Sequence, residues 1–168
     1  MFTLNEAAFA HALAAEKILE PKAQFLNENE EVIPVFVNLL FQSVEISLKS
    51  FALDAKIATE EELRDRKLTG NGHKIDLIAK LIDSRTGKDL VVDLILPEGE
   101  FPLYNQILKA MVYEAEFEPT RESYASRNVT YSQFKAGELQ VLGSVKDWVD
   151  AVKIFSKNVT PSVARLNG

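Results

Sequence analysis

Cysteine is absent from the chain, which excludes disulfides, thiolate metal sites and cysteine nucleophiles. Histidine occurs only twice, as His11 and His73, so a zinc site would need converging carboxylates that no local spacing supplies. Glycine is sparse, and the short "GNG" at 70–72 lacks the preceding strand and further glycine of a dinucleotide loop; no Walker-type phosphate loop occurs either. No serine sits in a nucleophile-elbow context. The first residues, "MFTLNEAAFAHALAAEKILE", do not follow the pattern of a basic leader and an apolar core, and no uninterrupted apolar run approaches the roughly 20 residues that span a bilayer. These features point to a cytoplasmic protein without membrane contact, and no cofactor is expected.

Excess positive charge is also missing. The formal net charge of −6 argues against a nonspecific nucleic-acid coat, because phosphate binding needs a basic surface. The charge is nevertheless uneven. Residues 56–88 carry 8 basic and 6 acidic side chains, whereas 89–122 carry 2 and 8. A local basic patch is therefore compatible with an acidic whole.

What remains is a chain of 168 residues, 46% of them apolar, enough for one packed domain over 1–168. Its patterning is mainly helical. Thr3 with Glu6 forms a capping-box signature for a helix ending near Pro21, with Leu4, Ala8, His11, Ala15 and Ile18 along one stripe. His11 is read as a packed helix residue. From Pro34 a second helix runs without interior glycine or proline and is apolar around most of its circumference, as expected of a central helix. Its one polar stripe is Asn38, Gln42, Glu45 and Lys49, in which Glu45 and Lys49 can pair at i, i+4. The stripe is either a solvated strip or the lining of a cleft or subunit interface.

Thr59 and Glu62 repeat the capping box and predict a short helix, "TEEELRDRK", that ends before "GNG". "HKIDLIAKLID" then resumes helical spacing, which places Arg66 on an outgoing turn and His73 on an incoming one. The dipole at a helix start favours a neutral imidazole, suited to a general base or to plain hydrogen bonding. Residues 88–96, "DLVVDLIL" at their centre, fit either a short strand or a short buried helix. A further helix is predicted over "LYNQILKAMVYEAEF", and a last one from a Ser144/Asp147 cap with Val145, Trp148, Val149, Val152 and Phe155 facing inward.

The central helix with Glu45-Ile46-Ser47-Leu48-Lys49, followed by "GHKIDL" at 72–77, resembles the HEPN family, small all-α domains named for nucleotide binding in higher eukaryotes and prokaryotes. Members carry "E-x-x-L-K" on a central helix and a later "H-x-x-D-L". Arg121 with Tyr124, or Arg127 with Tyr131, loosely match the family's late arginine–tyrosine motif. The resemblance extends over about residues 34–131.

It implies an all-α, four- to five-helix up-and-down bundle, commonly a homodimer, that binds nucleotide or RNA or a partner protein. It also implies an alternative: metal-independent RNA cleavage in defence or toxin–antitoxin systems, with Arg66 and His73 as the catalytic pair. In that reading the histidine deprotonates a ribose 2′-hydroxyl and the arginine stabilises the phosphorane. Lys67 stands where active members place a polar residue after the arginine, and two glycines interrupt the helix between the pair. A binding module without catalysis is therefore the leading expectation. Its ligand site would draw on Glu45, Lys49, Arg121, Arg127 and Tyr131.

Overall fold

The computed structural model describes residues 2–20, 24–87, 89–114 and 143–168. Among them the chain is all-α, with nine helices and no strand. Five helices have eight or more residues: α1 (Leu4–Leu19), α3 (Ile33–Asp54), α6 (Ile75–Thr86), α8 (Pro102–Lys109) and α9 (Val145–Asn167). Four short helices connect them: α2 (Gln24–Glu28), α4 (Glu60–Leu63), α5 (Arg66–Thr69) and α7 (Val91–Ile95).

The helix starts follow the sequence signals. Thr3, Thr59 and Ser144 each accept from the backbone N–H three residues on, while Glu6, Glu62 and Asp147 reach back to the cap's own N–H. Pro34 lies in the first turn of α3, where its missing N–H leaves no bond unmade.

α3 is the central element, packed against α1, α6 and α9. Its length and composition meet the requirement for a membrane span, but two thirds of its most apolar window is buried against neighbouring helices. Core placement thus accounts for its apolar circumference. Phe36, Leu40, Phe41, Val44, Leu48 and Phe51 are almost fully buried there, with Ile75, Ile78 and Ile82 of α6 and Trp148, Val152 and Phe155 of α9 in the same core.

Along α1, the buried positions are Ala8, Ala12 and Ala15, so small side chains face α3; the Ser43 hydroxyl donates to the Ala8 carbonyl at 2.6 Å. Leu4 is exposed instead of joining that face. His11 is half-buried, its Nδ1 2.7 Å from the Ala7 carbonyl, as a packed helix residue should be. Asn5 contacts Thr160 and Glu16 pairs with Lys153 at 2.6 Å, which runs α1 and α9 antiparallel.

Within 89–96 the strand alternative is wrong, since Val91–Ile95 forms the helix α7. The reason is a set of hydrogen-bond partners that no neighbouring strand needs to provide. The Asp83 carboxylate takes the Val91 N–H, and Arg165, Asn158 and Asn105 donate to the carbonyls of Leu94, Ile95 and Leu96. Val91, Val92 and Ile95 are thereby buried on a single turn.

Two other helices depart from their predicted courses. After Lys109 the chain widens into a π-helical turn, Ala110–Glu114; Ile107 and Met111 are buried, whereas Leu103, in the first turn of α8, is exposed. α9 continues through Pro161 to Asn167, because Asn158 and Arg165 tether it to α7 on either side of the proline.

Candidate functional site

Three residues of the sequence patterns meet where α3 faces the turn between α5 and α6. Glu45 is nearly buried, with 6% of its surface exposed. Its Oε1 accepts from Lys49 Nζ at 2.9 Å and lies 3.5 Å from His73 Nδ1. Lys49 retains 23% and His73 67% side-chain exposure, so the group opens outward from the carboxylate.

The turn itself is built from three consecutive left-handed residues. Gly70, Asn71 and Gly72 have φ of 60°, 62° and 82°. That run reverses the chain in three residues and presents His73 to α3. A Cβ on Gly72 would sit 2.8 Å from the Leu63 carbonyl oxygen and 3.2 Å from Lys49 Nζ, so the bare glycine makes room for the lysine. Thr69, fully buried, braces the turn: its hydroxyl donates to the Leu63 carbonyl at 2.7 Å and accepts from the Gly72 N–H at 3.0 Å.

The predicted single helix over "TEEELRDRK" is in fact two. α4 ends at Leu63, and Asp65 opens α5 by accepting from the N–H groups of Lys67 and Leu68 at 2.8 and 3.0 Å. Arg66 therefore begins a helix, a correction to its outgoing position. His73 precedes α6, whose N-cap is Lys74, so it is a turn residue before the helix opens.

Arg66 is exposed, and its side chain has no hydrogen bond or ion pair with any described residue. No contact joins it to His73. Lys67 is likewise exposed and unpaired among the described residues, and the Lys74 side chain runs past Gly70. Arg66 and Lys67 thus place two exposed cations on α5, just before the turn. Asn38 and Gln42 of the polar stripe are half-buried further along α3. Arg121, Tyr124, Arg127 and Tyr131 lie outside the described residues. No group of three potential metal ligands assembles among the described residues.

No family model, curated protein or solved structure matches the chain. The functional reading therefore rests on the geometry of these residues and the sequence motifs they come from.

A second polar cluster was missed by sequence reasoning. Asp83, in the last turn of α6, accepts from the Val91 N–H at 2.7 Å and from the Tyr113 hydroxyl at 2.9 Å. Asp93 accepts from Lys109 at 2.8 Å and from the amide of Asn105 at 2.9 Å. Burial pushes the Asp83 carboxyl above its ordinary value, against the two hydrogen bonds it accepts. For Asp93 burial acts in the same direction, but Lys109 and Asn105 outweigh it and hold the carboxyl below its ordinary value. Burial, aided by the charge of Asp83, raises the Tyr113 phenol far above the usual range. The available signal was an acidic residue near a helix C-terminus, where the dipole disfavours it and a tether must compensate.

Proposed function

We propose that the chain is a HEPN-like helical domain, acting as a homodimer in the cytoplasm, that binds a nucleotide, an RNA or a partner protein without catalysis of its own. The supporting observation is the convergence of Glu45, Lys49 and His73. These residues come from two motifs separated in sequence, and they meet at one oxygen, Glu45 Oε1.

The arrangement suits binding better than proton transfer. Glu45 orients the Lys49 ammonium and engages the His73 nitrogen nearest to it, while the outer cations, Arg66 foremost, are available to a phosphate. Arg121, Arg127 and Tyr131 belong to the same proposed ligand set on sequence grounds alone.

The second reading, metal-independent RNA cleavage by Arg66 and His73, draws on the Arg66 guanidinium, unengaged among the described residues, and the largely exposed His73 imidazole. Against it stands the left-handed turn between them, which breaks the helix that would hold the pair in register.

Both readings meet in one experiment: a mixed, labelled RNA pool incubated with the purified protein in EDTA, with Arg66→Ala and His73→Ala alongside. Retention of intact RNA, weakened by Arg66→Ala, is the expected result. Cleavage to 2′,3′-cyclic ends that vanishes in both variants would replace it with the ribonuclease. Neither retention nor cleavage, for RNA and for ATP as a nucleotide probe, would leave only the partner-protein role.

A further inference from the structure

Asp83 and Asp93 invite comparison because they share a cluster and differ in their partners. Asp93 on α7 has a cation, Lys109 of α8, at 2.8 Å. Asp83 is half-buried, and its only hydrogen-bond donors among the described residues are neutral: the Val91 N–H and the Tyr113 phenol. Among the described residues the charged group that acts on it is Asp93, which is of like sign and is itself paired with Lys109. On its own helix, Arg85 is engaged elsewhere by Glu62 at 2.8 Å.

An ionised carboxylate in this position is partly desolvated with no counter-charge among the described residues, a costly arrangement that a move toward solvent relieves. Yet this one side chain ties three elements together: the end of α6, the start of α7 and the π-helical turn that carries Tyr113. Single π turns are rare and fall frequently at functional sites.

We propose that Asp83 is a proton-linked joint: with its carboxyl neutral it holds α7 and the π turn against α6, and ionised it is drawn toward solvent and the π turn loosens. The raised Asp83 pKa agrees in sign. A group whose closed-state pKa lies above its solvated value stabilises the closed state at low pH, and that contribution declines as pH rises from the ordinary aspartate value through the raised one. Because α6 starts at the candidate site and ends at this joint, one rigid helix connects the two.

The test is amide hydrogen exchange of the full chain at Val91 and Tyr113, corrected for intrinsic rates, across the acidic-to-neutral range. Wild type should lose protection at these amides as pH rises. Asp83→Asn, a neutral isostere, should be the better protected protein at neutral pH and should lose the pH dependence. Tyr113→Phe, which spares the Val91 bond, should exchange about tenfold faster at the π turn, the effect of one lost hydrogen bond. Asp83→Asn as exposed as Tyr113→Phe, or wild-type protection independent of pH, would overturn the proposal.

Discussion

Glu45 Oε1 lies 3.5 Å from His73 Nδ1, and this contact joins the central helix to a turn 28 residues further along the chain. With Lys49 on the same oxygen, Glu45 is the hinge of the candidate site. Replacing it tests that role. Glu45→Gln keeps the shape but leaves the Lys49 ammonium beside a neutral amide in a mostly buried position. The variant should lose about 1–3 kcal/mol, read from urea unfolding, because a charge-assisted hydrogen bond is downgraded. A variant as stable as wild type would show that the pair does not anchor the turn.

Two left-handed glycines, Gly72 in the turn and Gly87 at the end of α6, should differ in cost. Gly72 has φ +82°, and an added Cβ would meet the Leu63 carbonyl oxygen at 2.8 Å, a backbone atom that cannot step aside. Gly72→Ala should therefore destabilise by roughly 1–3 kcal/mol. At Gly87, φ is +66° with nothing within 4 Å, so Gly87→Ala should carry only the left-handed penalty, about 1–2 kcal/mol. Paired thermal melts check the order; equal losses would remove the steric argument at Gly72.

Acid sensitivity should reside partly in Glu62. Hydrogen bonds from Arg85 and from the Thr59 backbone hold its carboxyl down, to about 2 from an ordinary 4.5. A depressed carboxyl contributes stability above its unfolded value and loses it as pH falls, here between about 4.5 and about 2. Arg85→Ala should flatten unfolding midpoints across that window relative to wild type. Identical pH profiles would contradict the assignment. Both partners are partly exposed, so added salt should shrink the difference.

Phe51, fully buried in α3, should be among the costliest single truncations. Phe51→Ala is expected to lose about 3–5 kcal/mol, through lost burial and the cavity left behind. A loss under 1 kcal/mol in denaturant titration would place the residue outside the core.

Much of the fold was legible because helical signals are local. The three capping boxes, Pro34 and the apolar circumference of α3 required nothing beyond neighbours in sequence, and each lies where its pattern implies. α7 was not legible, since what makes it a helix is hydrogen bonding from Asp83, Asn105, Asn158 and Arg165, residues scattered across α6, α8 and α9. The split of α4 from α5 depended on reading Asp65 as a cap, and the capping box before it masked that signal. In the site, the i, i+4 pairing of Glu45 and Lys49 followed from helix geometry. The approach of His73 followed only from the motif resemblance, and the roles of Thr69 and Gly72 emerged only with the turn in three dimensions.

The most direct test of the account is a titration of isotope-labelled protein with short single-stranded RNA and, separately, with ATP, followed by NMR shifts of backbone amides and the His73 ring. The account predicts shifts centred on Lys49, Arg66 and Gly70–His73, reduced by Lys49→Ala and by added salt. Saturable shifts centred on another face would contradict it, and none for either ligand at millimolar concentration would remove the nucleotide and RNA readings and leave only the partner-protein role.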